Sequence, residues 1–165
     1  MNLLLAMNIP NNKECEEIIK YFNVPDKVIQ HSKLVWKICQ FIAKQLIKRG
    51  IKINIKLLKA ATDLHDIDKI QTLKTEKHAL IAYDYLKNKY PEVAEIVVSH
   101  VMRLATKYPS NTWEKKILFY FDKITQDEKV VLFEERIEFL HKRGIEISEK
   151  KIELIKKTIP IVKKI

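Results

Sequence analysis

Glycine occurs only twice in these 165 residues, at Gly50 and Gly144. That scarcity excludes folds whose backbone must turn tightly many times or approach a phosphate closely. A Rossmann fingerprint and a P-loop both need glycine clusters, and an all-β fold needs many tight turns. What remains is helix, and the apolar residues recur at helical steps. Val28, His31, Val35, Ile38 and Ile42 fall three or four apart, on one helical face. Pro25 suits the first turn of that helix. Lys48-Arg49-Gly50 suits its end, with cations in the last turn and glycine in the left-handed position. Asn54 is placed to cap a helix carrying Leu57, Leu58, Ala61, Leu64 and His65. Thr75 is placed to cap another over residues 76–89. Pro91 opens one with Val93, Ile96, Val97, His100 and Leu104, and Asn111 or Thr112 starts one that runs through Asp122. A short helix is predicted over residues 13–22 and a longer one over roughly 129–143. Ser148 then caps a last amphipathic helix, residues 149–165, with Ile152, Ile155, Ile159 and Val162 on one stripe and Pro160 kinking or ending it. The expectation is one all-α domain over residues 1–165, with its core in residues 25–136.

Charge and cysteine usage narrow the class. No run of residues approaches the length of a membrane span. The Leu3-Leu4-Leu5-Ala6-Met7 run is too short for a signal peptide and lacks a basic flank before it. Cys15 and Cys39 have no metal-like spacing and read as reduced core residues of a cytoplasmic protein. The net charge is +10, and residues 142–165 hold eight Lys or Arg against three Glu. Such a balance draws nucleic acid or anionic substrates, or it is a solvated lysine face. No aromatic residues interleave with the tail lysines, so no stacking platform for single strands is evident, and nucleic acid is not the favoured partner.

Four of the five histidines lie on apolar faces of separate predicted helices: His31, His65, His78 and His100. Asp122 ends the run Leu118-Phe119-Tyr120-Phe121, where an unpaired carboxylate is costly to bury. A divalent metal held by these groups supplies the missing charge. Imidazole with carboxylate suits Mn, Fe, Ni, Co or Zn better than Mg or Ca. Asp66 follows His65 directly. Adjacent helical residues diverge by about 100°, so the pair flanks one ion only near a helix end. His141, in the last turn of its predicted helix, complements the dipole there and is assigned no chemistry.

The doublet stands in Leu64-His65-Asp66-Ile67-Asp68-Lys69, with His31-Ser32 before it and Phe121-Asp122-Lys123 after it. This pattern resembles the HD-domain metal-dependent phosphohydrolases, from about residue 25 to about residue 136. The resemblance implies an all-α HD helical bundle with a metal site among its core helices. It implies His31, His65, Asp66 and Asp122 as ligands of one metal. His78 and His100 take the places of two further histidines that mark members with a second metal, bridged by Asp66; otherwise they are outer donors around a single ion. Lys69 matches the family motif and, with Arg103 and Lys123, is placed to hold substrate phosphate. Asp66 or Asp68 is the candidate proton acceptor. Asp68 stands where the family has Gly, which permits a left-handed turn that Asp also tolerates; its extra carboxylate could bind a second ion or repel a phosphate. Lys107-Tyr108-Pro109 lacks the glycines and the paired His-His of the cyclic-dinucleotide branch. The expected activity is metal-dependent hydrolysis of a phosphate ester or anhydride of a small nucleotide-like substrate. The alternative is a metal-stabilised, non-catalytic binding module whose basic tail contacts RNA or a protein partner.

Overall fold

The computed structural model describes residues 7–126 and 129–142. Its elements are α1 (Asn12–Tyr21), α2 (Asp26–Lys48), α3 (Ile55–Leu64), α4 (Lys69–Thr72), α5 (Leu80–Leu86) and α6 (Pro91–Ser99). A 3-10 turn (Met102–Leu104), α7 (Trp113–Lys123), β1 (Thr125–Gln126), β2 (Lys129–Val130) and α8 (Phe133–Lys142) follow. The fold is all-α apart from one two-stranded ribbon. No described helix is long and apolar enough to cross a membrane.

Local chemistry sets most boundaries. Asn11 and Glu14 form a reciprocal capping box at α1. α2 stops at Lys48, and Gly50 follows with φ +84°, the left-handed geometry that glycine adopts without strain. Asn54 accepts from the Leu57 N–H at 3.0 Å and caps α3. The Asn54 N–H donates to Glu114 Oε1 at 2.7 Å, which ties the start of α3 to the first turn of α7. Thr112 caps α7 through the Lys115 N–H.

α3 is the central helix, packed against α1, α2, α6 and α7. Leu57, Leu58, Ala60, Ala61, Thr62 and Leu64 are all buried along its ten residues. A helix apolar nearly all round belongs inside a core. Val35, Cys39, Val93, Val97, Ile117 and Leu118 close over it from α2, α6 and α7. Both cysteines are free and buried, and burial raises the Cys15 thiol to about 12, so it stays protonated.

Two expectations are corrected. The helix predicted over residues 76–89 forms only from Leu80 to Leu86. The segment before it turns instead, and Ala79 has φ +66°, because buried Asp68 draws the Ala79 and Ala82 N–H groups toward itself. The helix predicted from residue 129 begins at Phe133. Lys129 and Val130 first pair antiparallel with Gln126 and Thr125, which suits β-branched residues. The predicted helix over residues 149–165, with Gly144 and Ser148, lies outside the described residues.

Because α3 touches four other helices, a void there has few ways to collapse. Leu58→Ala is expected to cost about 2–5 kcal/mol of unfolding free energy, measured by urea denaturation.

Candidate metal centre

The His-Asp doublet sits at a helix end, where geometry allows both side chains to reach one point. His65 is the C-terminal cap of α3 and Asp66 lies in the turn just after it. His100 caps the C-terminus of α6, and Asp122 lies in the last turn of α7. Three helix C-termini therefore converge, and each carries partial negative charge that favours a cation. His31 joins from the second turn of α2, and His78 from the segment before α5.

The six donors form two groups that share Asp66. His31, His65, Asp66 and Asp122 offer ligand atoms all within 4.8 Å of one another, as do Asp66, His78 and His100. The two oxygens of Asp66 divide between them. Oδ2 faces His65 Nε2 at 3.6 Å and His31 Nε2 at 3.9 Å. Oδ1 faces His78 Nε2 at 3.2 Å and His100 Nε2 at 3.5 Å. Asp122 Oδ1 completes the first group, 3.1 Å from His31 Nε2 and 3.4 Å from His65 Nε2.

The hydrogen bonds behind the imidazoles fix which nitrogen faces inward. His65 Nδ1 lies 2.7 Å from the Thr62 carbonyl and His100 Nδ1 lies 2.5 Å from the Val97 carbonyl. His78 Nδ1 lies 2.9 Å from Asp68 Oδ1. Carbonyl and carboxylate oxygens only accept, so each Nδ1 carries a proton, and Nε2 is the nitrogen whose lone pair faces the centre when the ring is neutral. Such outer partners orient metal-ligating histidines. His65 Nε2 is buried and has no hydrogen-bond partner. An orphaned lone pair beside two carboxylates fits a divalent cation, and the mixed nitrogen and oxygen set fits a transition metal.

Electrostatics agree with that fit. Burial alone pushes a carboxylate pKa up, yet Asp66 and Asp122 are held well below the ordinary range, the former by the charge of His65, hydrogen bonds to His100 and His78 and the charge of Lys69, the latter by the charge of Lys123 and hydrogen bonds to His31 and His65. Burial pushes His100 down to about 4, so its imidazole is neutral at physiological pH. For His78 burial also opposes the charge, but hydrogen bonds to Asp66 and Asp68 prevail and raise it to about 9.

The cations predicted for substrate are bound to this cluster in three ways. Lys69 pairs with Asp66 Oδ2 and is 41% exposed, so it reaches from the buried carboxylate to solvent. Burial and Arg136 work against the Lys69 charge, while Asp66 and Asp122 outweigh them and raise its pKa. Lys123 pairs with Asp122 Oδ2 and is largely buried. Arg103 donates to the His78 carbonyl at 3.1 Å, bracing the segment that carries His78. His141 is exposed on α8, away from the donors.

Asp68 departs most from expectation. Its backbone is right-handed, with φ −94° and ψ 4°, so the left-handed turn expected there is absent. Its carboxylate is fully buried and accepts from His78 Nδ1, the Ala79 N–H and the Ala82 N–H. With both oxygens taken, Asp68 stands as an anchor behind His78 and as a remote cap for α5, which has no capping side chain of its own. A proton acceptor open to the centre would not be so engaged.

Two clefts border the cluster. The larger, about 730 Å³, lies among α1, α2 and α3, and Asp66 is the only one of the six donors on its wall. The smaller, about 410 Å³, is lined by His31, Lys69, Ile70, Leu73, Gln126, Arg136 and Phe139, among others. The smaller one holds His31 and opens on the exposed end of Lys69 and a second cation, Arg136. Arg136 had no motif or periodic signal of its own in the sequence.

The anchoring by Asp68 is testable without activity. Burial opposes its charge, but His78 and the two N–H groups lower its pKa. Its contribution is therefore present above the unfolded carboxylate pKa and is lost as pH falls through the lower folded value. In chelator at neutral pH, Asp68→Ala is expected to lose about 3 kcal/mol of stability through three orphaned donors, read by chemical denaturation. Loss of less than about 0.5 kcal/mol would show that the anchor is dispensable.

Comparison with known proteins agrees with the helical bundle. No solved structure matches the chain. A tRNA (cytidine(56)-2'-O)-methyltransferase from Picrophilus torridus is 26% identical over 141 residues, covering 77% of this chain and 40% of that protein. The chain thus spans less than half the length of the curated relative it matches. The HD domain family model matches residues 28–127, a span that holds all six donors. The chain therefore belongs to the HD-domain superfamily, whose members are generally hydrolases that bind divalent metals.

Proposed function

We propose that the protein is a metal-dependent phosphohydrolase that cleaves a phosphate ester or anhydride of a small nucleotide-like substrate. The observation that carries this reading is the divided Asp66 carboxylate, one oxygen toward each donor group, with the Lys69 ammonium leading outward from it. Two ions held by these groups would share Asp66 as a bridge, with His31, His65 and Asp122 on one side and His78 and His100 on the other. A bound divalent ion supplies Lewis acidity and lowers the pKa of water toward neutrality, so that a nucleophile is available at physiological pH.

The chain's own residues do the rest. The carbonyls of Thr62 and Val97 and the Asp68 carboxylate hold three imidazoles in one tautomer, lone pairs inward. Lys69 links Asp66 to the cleft mouth, where its charge compensates a phosphoryl oxygen. Lys123 keeps Asp122 ionised. Asp66 is the carboxylate placed to accept a proton at the centre, since the oxygens of Asp68 are occupied. Ile70, Leu73 and Phe139 give the cleft apolar walls, and its volume suits a compact ligand.

A second reading has one observation in its favour. The matched relative is named for action on tRNA, and this chain carries net charge +10. A non-catalytic module that contacts RNA would show strongly salt-dependent binding and no phosphate release with any added metal.

Three outcomes test the enzyme reading. First, purified protein is expected to hold two ions per chain by elemental analysis, falling toward one in His78→Ala; one ion in both proteins would leave His78 an outer donor only. Second, turnover of a nucleotide or generic phosphodiester panel with Mn, Co or Ni is expected to vanish in chelator, and to fall by about 10³-fold or more in Asp66→Ala. No turnover of any phosphate compound by fully loaded protein would contradict the reaction. Third, a metal must displace the His78 proton. That proton stabilises the metal-free fold below the ordinary value of 6.5, and the effect is lost as pH rises through about 9. Metal uptake is thus expected to release protons and to tighten as pH is raised toward about 9, measured by calorimetry in buffers of different ionisation enthalpy.

A further inference from the structure

The cleft that opens on His31 and Lys69 is built for more negative charge than one phosphoryl group brings. Arg136 lines it from α8, across from Lys69. Its guanidinium carbon lies 5.5 Å from the centre of the Phe139 ring, within reach of cation–π attraction. Its Nε is buried and without a hydrogen-bond partner. No carboxylate among the described residues pairs with it, whereas Lys69 and Lys123 each pair with an acidic ligand of the cluster. A buried, unsatisfied guanidinium N–H is costly, and a planar fork matches the oxygens of phosphate in two parallel hydrogen bonds. Gln126 adds an amide to the same wall, and Ile70 and Leu73 add apolar surface.

We propose that Arg136 binds a second phosphoryl group of the substrate, separate from the one placed at the metals, so that the preferred substrates carry at least two phosphoryl groups. This rests on the phosphohydrolase reading and narrows it. A substrate with one phosphoryl group reaches His31 and Lys69 but leaves the guanidinium unpaired. A nucleoside diphosphate or a dinucleotide fills both places. Lys69 serves the reacting group, and Arg136 sets which molecules dock.

The test compares two non-reacting probes on Mn-loaded protein by equilibrium binding: a nucleoside 5'-methylenephosphonate, with carbon in place of the ester oxygen, and the corresponding methylene-linked diphosphonate. The wild type is expected to prefer the diphosphonate by about tenfold or more. Arg136→Ala is expected to abolish that preference by weakening the diphosphonate far more than the monophosphonate, with metal content unchanged. Arg136→Lys is expected to recover it only in part, since an ammonium lacks the fork. No preference in the wild type, or an equal loss for both probes in Arg136→Ala, overturns the proposal. The two readings fail separately: an Arg136-dependent preference in a protein that turns over no phosphate compound keeps the binding site and removes the hydrolase. Metal-dependent turnover with no such preference does the reverse.

Discussion

A carboxylate buried at 2% exposure, Asp66, is the constraint on which the rest of the site depends. An isolated charge in such a place would cost several kcal/mol after relaxation. The fold meets the cost by gathering imidazoles and an ammonium around it, against the adverse dipoles of three helix C-termini. The C-termini of α3, α6 and α7 meet there, four imidazoles face its oxygens, and Lys69 caps it from the solvent side. Helix C-termini repel an anion, so their convergence on two carboxylates favours a cation held between them. The apolar core of α3 is what forces these groups together: with Leu58, Ala61 and Leu64 buried, its C-terminal end and the doublet have no route to the surface.

Much of this was legible in the residues. The helical face with Val28, Val35 and His31, the Asn54 cap and the Pro91 start depend on neighbours within one or two turns, and such signals survive in sequence. The donor set was legible for a related reason, since imidazole and carboxylate on apolar faces have few stable uses. The missed features are contacts between distant segments. Asp68 reaches 14 positions along the chain to the Ala82 N–H, and that reach shortens a helix that periodicity alone extends back to residue 76. Nothing local distinguishes such a residue from a surface aspartate. Arg136 is 67 positions from Lys69, and its role becomes visible only when α8 and α4 border one cleft.

The same comparison separates two kinds of basic residue. Lys123 and Arg103 seemed equivalent candidates for substrate phosphate in the sequence. Folding commits Lys123 to Asp122 and one arm of Arg103 to a backbone carbonyl. Arg136, half-buried and beside the Phe139 ring, keeps a donor uncommitted. Placement against acidic partners, and not charge, decides which cations remain for a ligand.

The central claim is that one carboxylate joins two metal sites. Electron paramagnetic resonance of protein saturated with Mn(II) tests it directly, because ions bridged by a shared carboxylate are magnetically coupled. The account predicts a coupled-pair spectrum in the wild type that is lost in Asp66→Asn. A spectrum of isolated Mn(II) from fully loaded wild-type protein, unchanged in the variant, would contradict it.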